Sequence, residues 1–179
     1  MISLTVLFWI LIVLFAVIGA MRGWSKELLV TFSVILALFI IEVLETYLGF
    51  YQRAIVDEGG ATLFWVRAII VILLAFFGYQ TPNIRALAGA RFARERIQDT
   101  LLGFVIGAFN GYLVVGTLWW YLNDAGYPFT KYITAPAPGT DLGDAAIQLI
   151  SLLPPEWLVI PWVYFAVGIA FLFVIVVFI

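Results

Sequence analysis

The sequence contains no cysteine, which removes disulfides, thiolate nucleophiles, iron–sulfur ligation and cysteine zinc sites. It contains no histidine either, and that absence excludes more. Without imidazole there is no histidine haem ligand, no histidine-based triad and no side chain that ordinarily titrates near neutrality. Charge is scarce as well: Asp, Glu, Lys and Arg make up 11% of the chain, with a formal net charge of -2 at pH 7. A nucleic-acid partner needs a concentrated basic surface, and none is present. No nucleotide loop, glycine fingerprint or hydrolase elbow occurs, and the small-residue stretch Ala88-Gly89-Ala90 lacks the Lys and Ser/Thr of a phosphate loop. The expectation is a protein that is not an enzyme and holds no cofactor or metal. Nothing in the residues selects a particular lipid, quinone or pigment.

What the chain has in abundance is apolar length. Hydrophobic residues are 65% of its 179 positions, far outside the soluble range. Crossing the roughly 30 Å of bilayer hydrocarbon takes about twenty apolar residues as a helix. Such runs occur at 2–21, 28–48, 63–79, 98–122 and 157–179. The first carries no Lys or Arg ahead of it and no small-residue cleavage pattern, so it reads as an uncleaved span rather than a signal peptide. The prediction is an all-α, polytopic integral membrane bundle of about five transmembrane helices. Residues 1–122 make a four-span domain and 157–179 a fifth transmembrane helix that runs to the last residue. Between them, 123–156 reads as an extracytoplasmic loop with five prolines. There Leu142, Ala146, Leu149, Ile150 and Leu153 fall at helical spacing behind Asp141 and Asp144, which predicts a short helix along the membrane surface.

The distribution of basic residues predicts orientation. Arg22 and Lys26 lie in the first loop and Arg85, Arg91, Arg94 and Arg96 in the third, against Arg53 and Lys131 in the other two. The basic loops belong in the cytoplasm, so the N-terminus is outside and the C-terminus cytoplasmic. Trp65, Trp119, Trp120, Trp157 and Trp162 then fall near outer span ends and Trp24 near an inner one, as an aromatic belt would. The third loop shows no clean amphipathic face across Ile84, Leu87, Phe92 and Ile97.

Three groups of residues stand out against this background. Gly103, Gly107 and Gly111, with Ala108 beside them, recur on one face of the fourth span, where backbones can approach closely. The first span offers a matching small face at Ala16, Gly19, Ala20 and Gly23, so internal packing of spans one and four is the simpler reading and self-association the alternative. Glu42 and Glu45 near the end of span two and Arg67 near the start of span three lie at similar depth in an antiparallel hairpin. They are candidates for an ion pair, with an ion or proton path as the competing reading. Arg22, Lys26 and Glu27 surround the first turn, as a topology signal or a docking site, and Asp99 reads as the N-cap of span four.

The sequences Arg22-Gly23-Trp24, Lys26-Glu27-Leu28, Asp99-x-x-Leu102-Gly103, Gly107-Ala108 and Gly111 resemble those of the colicin V production protein family over about residues 1–122. In that family a basic residue commonly follows the Asp and an Arg precedes the last glycine, where this chain has Thr100 and Asn110. The fifth span also lies outside the usual four-span pattern. The resemblance implies a bacterial inner-membrane protein with a role in bacteriocin export or envelope upkeep. From the residues themselves, the function expected is that of a non-catalytic accessory or structural subunit packing against other membrane-protein subunits, with a small channel or transporter component as the alternative.

Overall fold

A computed structural model describes residues 3–80 and 93–178. Arg85, Arg91, the Ala88-Gly89-Ala90 stretch and the weak amphipathic pattern that begins at Ile84 lie outside the described residues. The described residues contain helices and turns and no strand. In chain order the helices are α1 (Leu4–Arg22), α2 (Trp24–Tyr47), α3 (Gly49–Tyr51), α4 (Gly60–Tyr79), α5 (Ala93–Asp124), α6 (Asp141–Ile150), α7 (Pro154–Trp157) and α8 (Trp162–Phe178). A π-helical turn at Gln52–Val56 leads out of α3. Among the described residues four helices, α1, α2, α4 and α5, are long and apolar enough to cross a membrane. The chain is a multi-pass helical membrane protein.

Element boundaries differ from the apolar runs for identifiable reasons. α5 starts at Ala93 rather than near Gln98, because Ala-Arg-Glu-Arg is good helix-forming sequence and extends the helix beyond its apolar part. α4 starts at Gly60, which sets Arg67 about two turns inside the helix instead of one. The last apolar run does not form one helix from Trp157. Pro154 and Pro155 open a separate turn, α7, and α8 begins at Trp162 with 17 residues, shorter than the four candidate spans. α6 forms where the spacing predicted it. The Thr140 hydroxyl caps it by accepting from Gly143 N at 3.1 Å, and Asp144 accepts from Gly139 N at 2.9 Å.

α2 runs through the middle. Its Val30, Val34, Ala37, Leu38 and Ile41 pack against Val71 and Ala75 of α4, Leu113, Val114 and Tyr121 of α5, and Val163 of α8. A second apolar cluster joins Phe8 of α1 and Trp119 of α5 to Ala146, Ile150 and Leu153. Trp119 is therefore core rather than belt, and its indole N–H donates to the Tyr127 hydroxyl at 3.2 Å.

α1 and α5 make the most intimate contact of the bundle. A Cβ built on Gly19 would strike the Gly103 carbonyl and come within 2.7 Å of Gly107 Cα. One on Gly107 would lie 2.8 Å from Gly19 Cα, and one on Gly111 would lie 2.8 Å from Phe15 Cβ. Ala16 is buried against the same seam and Ala20 and Ala108 are half-buried beside it. The small faces thus meet inside one chain. Lipid supplies no hydrophobic drive between helices, so this backbone approach and the dispersion it gathers hold the pair. Replacing Gly107 with Val forces the backbones apart and should cost about 1–3 kcal/mol or more, read as earlier unfolding in detergent titrations. Gly168→Ala, where an added Cβ meets nothing within 4 Å, should leave stability unchanged or raise it by up to about 1 kcal/mol.

Candidate functional site: polar clamps at the two ends of the bundle

One clamp gathers at the turn between α1 and α2. Gly23 joins the two helices alone, at φ 87°, a left-handed conformation that glycine adopts without strain. This one-residue turn throws Arg22 and Glu27 together, and the Arg22 guanidinium donates to Glu27 Oε1 at 2.8 Å. Glu27 is 0% exposed, so its second oxygen also needs a donor. Asn110 of α5 supplies one: its Nδ2 donates to Glu27 Oε2 at 2.8 Å and to the Glu27 carbonyl at 2.9 Å. Asn110 Oδ1 in turn accepts from the Thr31 hydroxyl at 2.7 Å. Arg22 reaches a third helix, donating to the Tyr79 carbonyl at 3.0 Å and lying 4.3 Å from the Tyr79 ring centroid. The Tyr79 hydroxyl stands beside the Glu27 carboxylate without hydrogen-bond geometry.

Asp99 belongs to the same end but does not cap its own helix. It lies well inside α5, and its Oδ1 accepts from Trp24 N at 3.2 Å. It therefore caps α2, where the first backbone N–H groups lack helical partners. The Gly23 turn passes so close that a Cβ there would sit 2.7 Å from the Asp99 carboxylate. Lys26 is half-buried in the same first turn of α2 and takes part in polar contacts of its own.

The other clamp centres on Arg67, 5% exposed. It grips Glu45 of α2 through two bonds, Nε to Oε1 at 2.6 Å and NH2 to Oε2 at 2.9 Å. Its NH1 donates to Asp124 Oδ2 at 2.5 Å at the last residue of α5. The Tyr121 ring lies with its centroid 4.9 Å from the guanidinium carbon. Three helices are tied by one side chain, whose planar fork suits bidentate pairing. Glu42 stands one turn deeper on α2, within electrostatic reach of Arg67 and outside ion-pair distance. Tyr51 closes the group from α3. Burial pushes its phenol up, the Glu45 charge adds to that rise, and Arg67 opposes it. Its buried hydroxyl has no hydrogen-bond partner among the described residues.

The structure therefore brings Arg67 to Glu45, leaves Glu42 out of the pair, and joins Arg22 to Glu27. Sequence reasoning missed Asp124, Tyr121, Thr31 and Tyr79 as members, and noted Asn110 only as a departure from a motif. A signal for the α5 members was present: Asn110, Thr117, Tyr121 and Asp124 recur at helical spacing on one face. Between the clamps that face, with Leu113, meets Val30 and Val34 of α2 and Val71 of α4, each 0% exposed. Among the described residues no group of three His, Cys, Asp or Glu could hold a metal ion.

Removing Arg67 leaves Glu45 and Asp124, with side chains 21% and 39% exposed, charged and without their partner, at a cost of about 1–3 kcal/mol. Arg67→Ala should lose that much in detergent unfolding titrations, and Arg67→Lys should recover less than half of it, since an ammonium cannot make the fork. Asn110→Leu keeps the branched skeleton of the side chain in a bulkier form and removes the donors to Glu27, with an expected loss of about 1–3 kcal/mol. If Asn110→Leu instead unfolds at the wild-type detergent concentration, the bonds to Glu27 are not contributing.

No curated protein and no solved structure matches the chain. A family model does, that of the colicin V production protein, over residues 4–135. The match takes in both clamps, the glycine seam and all four candidate spans. On that match the chain belongs to the colicin V production protein family.

Proposed function

We propose that the protein is a non-catalytic accessory or structural subunit of the bacterial inner membrane, which packs against partner proteins in a larger membrane assembly. The observation that carries this reading is how the intramembrane charges are used. Arg67 is bonded to Glu45 and Asp124, and Glu27 to Arg22 and Asn110. An ionisable side chain within a span is by default a transport candidate. Here these groups bond to one another across helices, at opposite ends of the bundle, with an apolar layer between. That arrangement favours fixing helix positions over passing a solute. The outer faces of α1, α4, α5 and α8 present large apolar side chains such as Trp9, Phe77, Val105 and Phe171, available to lipid and to other helices.

The basic residues around the first turn and ahead of α5 support an arrangement with these loops in the cytoplasm and the N-terminus outside. A second reading, a role in the production or export of colicin V-type bacteriocins, is favoured by the family match over residues 4–135. The two are compatible if the assembly is an export machine.

The test is extraction in mild detergent followed by native mass spectrometry, alongside ion and proton flux measured on the purified chain in liposomes. The expected outcome is co-extraction of a defined protein partner and no flux above empty liposomes. A monodisperse chain that conducts ions by itself, with flux abolished in folded Arg67→Lys protein, would overturn the subunit reading.

A further inference from the structure

We infer that the stretch from Leu152 to Trp162 is irregular backbone that lies within the hydrocarbon layer rather than above it, with lipid acyl chains against its outer side. This rests only on α1 and α5 crossing the bilayer and is independent of the proposed function.

The depth follows from where the stretch touches α5 and α1. α1 has 19 residues, so at 1.5 Å per residue it is about 28 Å long, close to the hydrocarbon thickness. The hydrocarbon boundary at its N-terminal end therefore lies near Leu4. Gly116 of α5 is level with Phe8, and it leaves room there for Pro154 and Leu153: an added Cβ would lie 3.0 Å from Pro154 Cδ and 3.1 Å from Leu153 Cδ2. Phe8 is about 6 Å inside Leu4, and Tyr112, one turn beyond Gly116, is about 12 Å inside. Counted from the other direction, Gly116 lies about 12 Å along α5 from Asp124. Tyr164 in the first turn of α8 packs on Phe39, two turns inside the end of α2, and its hydroxyl meets the Tyr47 hydroxyl at 3.1 Å. Further along, Phe173 meets Phe32. α8 thus runs on deeper beside α2 from a start that is itself inside the bundle.

Irregular backbone is tolerated at such depth only where its polar groups are satisfied within the protein, and several in this stretch are. The Tyr112 hydroxyl donates to the Leu152 carbonyl, and the same hydroxyl accepts from Trp157 Nε1 at 3.0 Å. Leu153 N, Glu156 N and Leu158 N donate to the carbonyls of Ile150, Leu153 and Pro154. Pro154, Pro155 and Pro161 have no N–H to satisfy. The one charge in the stretch, Glu156, accepts from Trp120 Nε1 at 2.7 Å, a turn from the end of α5. Leu153 and Pro154 are fully buried, whereas Leu152 is 64% and Val159 39% exposed. At this depth the medium beside those two side chains is lipid, continuous with the lipid-facing surface of α1 and α5.

The absence of cysteine gives a clean test in the full-length chain. Single variants Leu152→Cys, Val159→Cys, Lys131→Cys and Gln148→Cys are reconstituted into liposomes of phosphatidylethanolamine and phosphatidylglycerol. Each is read by its rate of reaction with a water-soluble maleimide. A second readout is quenching of a fluorophore on the cysteine by lipids brominated midway along the acyl chain. The inference expects positions 152 and 159 to react at least about ten-fold more slowly than 131 and 148, and to be quenched by the brominated lipid. Equal reaction rates at all four positions would place the stretch in water and overturn it. Slow reaction without quenching would place the two side chains inside protein and overturn it equally.

Discussion

The contact of the α1 and α5 backbones at Gly19, Gly103 and Gly107 is the constraint on which the other contacts depend. Two helices that touch backbone to backbone cannot slide by a residue without raising a side chain into the seam, so the contact sets their relative level. That level places Asp99 against the start of α2 and Asn110 opposite Glu27. It also aligns Gly116 with Phe8, opening the slot that receives Pro154. In water such a seam would be one of many apolar contacts. In lipid, where exposed apolar surface is under no penalty, close packing and polar bonds are what distinguish one arrangement of helices from another.

The polar bonds complete what the seam begins. Individually, interhelical hydrogen bonds in membranes contribute modestly, about 0.6 kcal/mol on average. Their value here lies in position: one group ties the beginning of α2 to α1, α4 and α5, and the other ties its end to α4 and α5. The apolar layer between them, around Val34 and Leu113, packs without polar help. Thr117 is fully buried in that region, and its hydroxyl has no hydrogen-bond partner among the described residues. Arg22 spreads over Glu27 and the Tyr79 carbonyl, and Arg67 over Glu45, Asp124 and the Tyr121 ring, so each cation serves three helices.

Helices and their apolar character were readable from run length, and so was the family, from short motifs whose residues turn out to line the seam and one clamp. Pairing was readable only in part. Arg67 and Glu45 could be matched because a hairpin brings them to one depth. Asp124 could not, because it lies far along the chain and depends on α5 passing the same point. Asp99 was assigned to its own helix because capping is usually local, and its bond to Trp24 exists only once α1 and α5 are in register. The final apolar run reads as unbroken because run length does not register the separate turn that Pro154 and Pro155 open before α8. The missed pairings at Asp124 and Asp99 involve contacts between elements distant in sequence, which residue patterns within one element do not encode.

The buried polar groups fix helix register in a protein whose outer faces carry large exposed apolar side chains. The most direct measurement of that claim is a double-mutant cycle between Glu27→Ala and Asn110→Ala, with unfolding free energies taken in lipid bicelles. Because the two side chains act as one network, the cycle should give a coupling energy of about 1 kcal/mol or more. Effects that add within about 0.3 kcal/mol would contradict it, since Glu27 and Asn110 would then not be holding α2 to α5.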